Sequence, residues 1–173
     1  DVEFGGNSKT DGFILKINND LTNVISSTFI GGSDRDGVLS LALLENDDIV
    51  VTGYTSSVNF PIISGAYDDQ YGGGGDIFSL KINNDLTNVI SSTFVGDGAE
   101  ESPNTLALDS LENVYLSGRT QNVFPITENV VDSTIEELEG FIVKFSNSFS
   151  LIDDKIPPII TIPNNLDFMT LDP

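Results

Sequence analysis

Residues 15–29 read LKINNDLTNVISSTF, and residues 80–94 read the same fifteen letters. An identity of this length at an offset of 65 residues does not arise from shared composition. A third, diverging copy opens with GFIVKF at residues 140–145. Self-similarity at a fixed period predicts a chain built of tandem structural units.

The correspondence continues on both sides of the two identical segments. The LAL at residues 41–43 returns at 106–108, and the FPI at 60–62 returns at 124–126. The repeat therefore predicts five parts in the chain. These are the end of a preceding repeat (1–10), repeat 1 (11–75), repeat 2 (76–139), a partial repeat 3 (140–152), and a Pro-rich linker or first strand of an immunoglobulin-like domain (153–173).

Each repeat reads as four short strands. In residues 13–17, Phe, Leu and Ile alternate with Ile and Lys, a period of two that predicts a strand with one apolar face. The Asn-Asn-Asp at 18–20 predicts a turn, because Asn and Asp tolerate left-handed backbone angles. Residues 24–30 predict a second strand, and residues 39–44 and 49–55 predict a hairpin.

Short strands with Gly-rich and Asn-rich turns predict an all-β fold. Tandem copies favour a β-propeller, in which each four-stranded antiparallel sheet is one blade. Two whole units and fragments fall short of the roughly four to eight blades of such folds. We therefore expect an incomplete propeller fragment with unpaired edges and apolar faces. A longer parent protein or other copies of the chain would complete it.

Charge restricts the partners. The chain has 27 acidic and 7 basic residues, a net charge of −20. Nucleic acid is excluded as a partner, because binding phosphates requires clustered Lys and Arg. The sequence also has no run of about 18 apolar residues that would span a membrane. A strongly acidic surface fits cations, basic partners or simple solubility in high salt.

Cysteine and histidine are both absent from the chain. A Ser-His-Asp triad, a Cys nucleophile and the usual zinc sites therefore cannot be built from this chain alone. A pair of carboxylates is sufficient for a glycosidase, but no pair among the acids is marked by its pattern. We predict that the chain is not an enzyme. A carboxylate-based glycan hydrolase is the last of three functions that the sequence allows, behind two without catalysis.

The loop that ends repeat 1 carries a recognisable pattern. Residues 53–61 (GYTSSVNFP), 65–67 (GAY) and 71–76 (YGGGGD) resemble the SBBP (seven-bladed β-propeller) repeat family. Repeat 2 departs from the pattern, since Arg119 takes the tyrosine position and IEELE at 135–139 replaces the tyrosine and glycine run. The resemblance implies a large secreted or cell-surface protein without assigned catalytic residues. We accordingly expect a structural or adhesive module in an extracellular or cell-surface location.

The C-terminal segment has a different composition. Its DDKIPPIITIP at residues 153–163 resembles the opening of an immunoglobulin-like module of the HYR type. Paired prolines hold such a segment extended. An extended segment can add as a strand to the open edge of a neighbour, so copies of this chain or other surface proteins are the expected partners. A plain C-terminal tail is the alternative.

Two kinds of binding site are compatible with the sequence. Calcium takes six to eight oxygen ligands from flexible loops, and acidic loops follow the second strand in both repeats. The candidate calcium ligands are Asp34, Asp36, Asp97 and Glu100; a solvated acidic turn is the alternative. Tyrosines could stack on glycans, although the sequence favours packing over glycine as the explanation. These tyrosines are Tyr54, Tyr67, Tyr71 and Tyr115.

Overall fold

The described part of the chain, in a computed structural model, contains nine strands that all pair antiparallel and are joined by turns and loops. The structure describes residues 9–96, 98, 101–121, 124, 138–146 and 149. The strands are β1 (Gly12–Ile17), β2 (Val24–Ile30), β3 (Asp36–Leu43), β4 (Ile49–Thr55), β5 (Asp76–Ile82), β6 (Val89–Val95), β7 (Ser102–Leu108), β8 (Val114–Thr120) and β9 (Glu139–Phe145). None of the described residues is helical, so none lies in a helix that could cross a membrane. The predicted all-β antiparallel class is confirmed.

The strands form three open sheets. The first sheet contains β1 and β2, the second has the order β3-β4-β5-β6, and the third has the order β7-β8-β9. The second sheet therefore combines the last two strands of repeat 1 with the first two of repeat 2, whereas one repeat was expected to make one sheet. The cause is the pairing of β4 with β5 over seven positions, from Ile49 opposite Ile82 to Thr55 opposite Asp76. Sequence identity gives the period of a repeat but not where a sheet begins.

Most strand bounds agree with the sequence pattern, and the third strand is the exception. It begins at Asp36 rather than at the predicted residue 39. The backbone N–H of Asp36 donates a hydrogen bond to the carbonyl of Thr10 at 2.6 Å, which starts the strand early. A β-bulge between Val38 and Ser40 then interrupts the alternation of faces. Because of the bulge, the first part of β3 does not show the period-two alternation by which the sequence predicts a strand.

The turns of the β1–β2 and β5–β6 hairpins repeat the same hydrogen bonds. The side-chain oxygen of Asn18 accepts from the backbone N–H groups of Thr22 and Asn23 at 2.9 and 3.0 Å, and Asn83 does the same one repeat later. The left-handed residues are Leu21 (φ 56°) and Leu86 (φ 61°), not the Asn or Asp beside them. The asparagine is needed for its side-chain acceptor, and the backbone strain falls on the leucine.

The second sheet is packed between the other two. One face, with Val51, Phe78 and Leu80, contacts Ile14 and Ile30 of the first sheet. The opposite face contacts the third sheet in a second apolar cluster. That cluster includes Val50, Ile77, Val95, Leu116, Phe141 and Val143. Three sheets therefore stack face to face, with the edge strands β3 and β7 lying against each other.

Candidate functional site

The first sheet carries an exposed apolar face, formed by Phe13, Leu15 and Ile17 of β1. Their side chains are 65%, 44% and 38% exposed. The residues at the same positions of β5 are buried, with Phe78 and Leu80 at 0%. Because the two strands have nearly the same sequence, composition does not explain the difference. The difference lies in the neighbours: side chains of other segments cover β5, and no described residue covers the same face of β1.

Those neighbours recur in two units. The ring of Phe60, from the Phe-Pro of repeat 1, lies 4.4 Å from the ring of Phe78. The ring of Phe124, from the Phe-Pro of repeat 2, lies 4.2 Å from the ring of Phe141. The part of the chain that the structure describes supplies no such ring for Phe13.

A glycine lies opposite the covered phenylalanine in both cases. Gly53 pairs with Phe78, and Gly118 pairs with Phe141. A Cβ on Gly53 would lie 1.9 Å from the carbonyl oxygen of Gly37, and one on Gly118 would lie 2.6 Å from its phenylalanine ring. In both repeats, therefore, a strand glycine leaves room for the phenylalanine of the neighbouring strand, and the phenylalanine of the following Phe-Pro loop packs on that ring.

Asp36, one of the candidate calcium ligands, is buried at the start of β3. Its Oδ2 accepts hydrogen bonds from the N–H of Gly32 and the hydroxyl of Ser57, both at 2.7 Å. Burial raises the pKa of Asp36, and the hydrogen bonds from Thr55, Gly32 and Ser57 oppose that rise. Asp36 therefore anchors the loop before β3 to the loop after β4.

Asp34 is placed differently. Its carboxylate forms a salt bridge with Lys9 at 3.1 Å, and the Lys9 ammonium lowers the pKa of Asp34. Asp97 and Glu100 lie outside the described residues. Within the described part of the chain, no three acidic side chains come close enough to hold a metal ion. Calcium binding by the four predicted ligands stays a prediction.

The four tyrosines do not share one surface. Tyr54 lies over Gly37, where an added Cβ would come within 2.5 Å of the ring, which is the packing over glycine that the sequence allowed. Tyr67 and Tyr71 lie beside Phe145 and Phe94 respectively, and partial burial raises the pKa of both phenols. Tyr115 lies under the ammonium of Lys144, which is 5.2 Å from the ring centre.

A cleft of about 420 Å³ opens where the second and third sheets meet. Arg35 and Arg119, the two arginines of the sequence, both line it. Tyr54 lines it as well, although Tyr54 and Arg119 hold the same position in successive repeats. Gly74 and Gly75, which have φ of 72° and 124°, form part of the wall. Two glycines of the run that ends repeat 1 thus shape the wall of the cleft.

Sequence reasoning did not identify this cleft. The two arginines are 84 positions apart, and no motif connects them. Two features of the sequence could have pointed to the arginines. A chain of net charge −20 has only two of them, and Arg119 replaces a tyrosine of the repeat.

Comparison with known proteins adds no relative. No protein-family model matches the chain, and a search of curated proteins found no match.

Proposed function

We propose that the chain is a non-enzymatic structural or adhesive module of a secreted or cell-surface protein, in which the stacked sheets are blades of an incomplete β-propeller. The observation that carries the proposal is the exposed face of Phe13, Leu15 and Ile17 beside the buried face of β5. Exposed apolar surface with regular spacing marks an interaction site in soluble proteins.

The two described units suggest what covers this face. In each, a phenylalanine from a Phe-Pro loop lies on the first strand of the next repeat, as Phe60 does on Phe78, and the preceding sheet covers the rest of that face, as Ile14 and Ile30 do. The proposed partner of β1 is therefore another repeat of the same kind. Such a partner would pair, through backbone hydrogen bonds, with the edge of β1 that no described strand occupies, and would place a phenylalanine on Phe13.

Other parts of the proposal rest on sequence patterns. The extracellular location and membership of the SBBP repeat family are supported by the loop motifs of repeat 1 and by a net charge of −20. The absence of His and Cys from the sequence supports a module without catalysis. Turnover of any polysaccharide in a broad glycan panel would instead favour the carboxylate hydrolase.

The solution mass of the whole chain, measured by light scattering over a range of concentrations, tests the proposal. We expect concentration-dependent association of the wild type, and a shift toward monomer for Phe13→Asp. Val58→Asp is the matched control, because Val58 is 77% exposed and lies outside this face. A wild type that remains monomeric at every concentration, with Phe13 open to solvent, would overturn assembly between copies.

The same measurement in calcium and in chelator examines the alternative. An oligomer that dissociates only in chelator would place calcium at the joints between copies. A rise in melting temperature with calcium would favour a calcium-binding module, because a ligand that binds only the folded state stabilises that state.

A further inference from the structure

We propose that the cleft between the second and third sheets binds an acidic saccharide, whose carboxylate is held by Arg35 and Arg119. This inference does not depend on assembly through the face of Phe13, which lies on the first sheet.

The arrangement of cations supports the site. Lys9 and Lys144 form salt bridges with Asp34 and Asp109. Neither arginine forms a salt bridge with a carboxylate of the described residues, and both are exposed in the cleft. A guanidinium is planar and donates two parallel hydrogen bonds to one carboxylate. Two such groups on one cleft form a receptor for a planar anion.

The net charge of −20 does not prevent anion binding at this place. Charges farther apart than about 8 Å are largely screened at physiological ionic strength. Distant carboxylates therefore contribute little inside the cleft, where the charged lining residues are Arg35, Arg119 and the buried Glu101.

The remaining lining selects a sugar rather than a simple anion. Ser56 and Gln121 offer hydroxyl and amide groups, and Tyr54 offers a ring edge and a phenol. Glu101 also lines the cleft, but it is 3% exposed and its carboxylate packs against Gly96, so it is not assigned a contact with the sugar. The cleft volume lies within the range of about 300–1,000 Å³ that small-molecule sites occupy. A uronate offers both the carboxylate and the hydroxyls that this set of groups would bind.

The experiment is titration calorimetry of the whole chain with trigalacturonate, and with galactotriose as the neutral probe. We expect binding of the acid only. Arg35→Gln and Arg119→Gln should each weaken binding by about tenfold or more, the effect of losing one charge-assisted hydrogen-bonding pair. Arg119→Tyr, which installs the residue of repeat 1, should do the same.

Lys16→Gln is the charge-matched control, because Lys16 lies near Asn84 at the far end of the strands from the cleft. It should bind as the wild type does. Thermal melts of every variant identify loss of fold separately from loss of binding. Absence of trigalacturonate binding, equal binding of galactotriose, or unchanged affinity in both arginine variants would each overturn the assignment.

Discussion

The ring of Phe60 lies 4.4 Å from the ring of Phe78, and this contact joins the loop that ends one repeat to the first strand of the next. Phe124 and Phe141 repeat the contact at 4.2 Å. Each Phe-Pro loop thus closes over the strand that follows it. Phe13 begins the same kind of strand, and no loop of the described residues covers it.

The first prediction compares the two phenylalanines. Phe78→Ala should lower the free energy of unfolding by about 3–5 kcal/mol, because it empties a buried site. Phe13→Ala should change it by about 0.5 kcal/mol or less when the chain is monomeric. Urea unfolding at low concentration measures both. Equal losses would show that Phe13 is covered in solution.

The second prediction concerns the glycines opposite these rings. Gly53→Ala and Gly118→Ala should each cost about 1–3 kcal/mol, because the new Cβ forces neighbouring backbone or rings to move. Gly140→Ala is the control, since its Cβ would meet nothing closer than 3.8 Å. Thermal melts of the three variants provide the comparison. A Gly53→Ala variant as stable as Gly140→Ala would contradict the close approach of Gly37.

The sequence predicts the strands well because their period and turn residues are local properties. Val24–Ile30 and Ile49–Thr55 coincide with the predicted segments. Which strands share a sheet depends on contacts between distant residues, so the pairing of β4 with β5 across a repeat boundary had no local signal. The cleft with Arg35 and Arg119 escaped for the same reason, because the sheets bring together residues that no motif connects.

The third prediction is a loss of stability in acid through Asp109. This carboxylate accepts hydrogen bonds from the side chain of Asn113 and from the N–H groups of Leu111 and Asn113, which lower the pKa of Asp109 to about 2. The unfolded chain has the ordinary value of 3.8. The stabilisation is therefore complete above about pH 4 and is lost as the pH falls toward about 2.

Asp109→Asn should reduce the dependence of the melting temperature on pH between these two pH values. Asp20→Asn, which removes one charge from the exposed β1–β2 turn, is the control and should leave the slope in place. An unchanged acid slope in Asp109→Asn would show that this turn does not contribute to it.

The fourth prediction concerns Asp36, whose pKa shift, and therefore its effect on stability as the pH rises, is opposite in sign to that of Asp109. Burial raises the pKa of this carboxyl, so the folded state binds its proton more readily than the unfolded chain does. Stability then falls as the pH rises above the ordinary value of 3.8 through the raised pKa. Asp36→Asn removes the buried charge but keeps an oxygen for the N–H of Gly32 and the hydroxyl of Ser57.

Asp36→Asn should therefore be at least as stable as the wild type at pH 7. Asp36→Ala should lose about 1–3 kcal/mol, because it leaves both donors without an acceptor. Unfolding in urea at pH 5 and pH 7, with chelator present, separates the two effects. If Asp36→Asn lost as much stability as Asp36→Ala, the negative charge itself would be required for folding, and the proposed cost of burying it at pH 7 would be wrong.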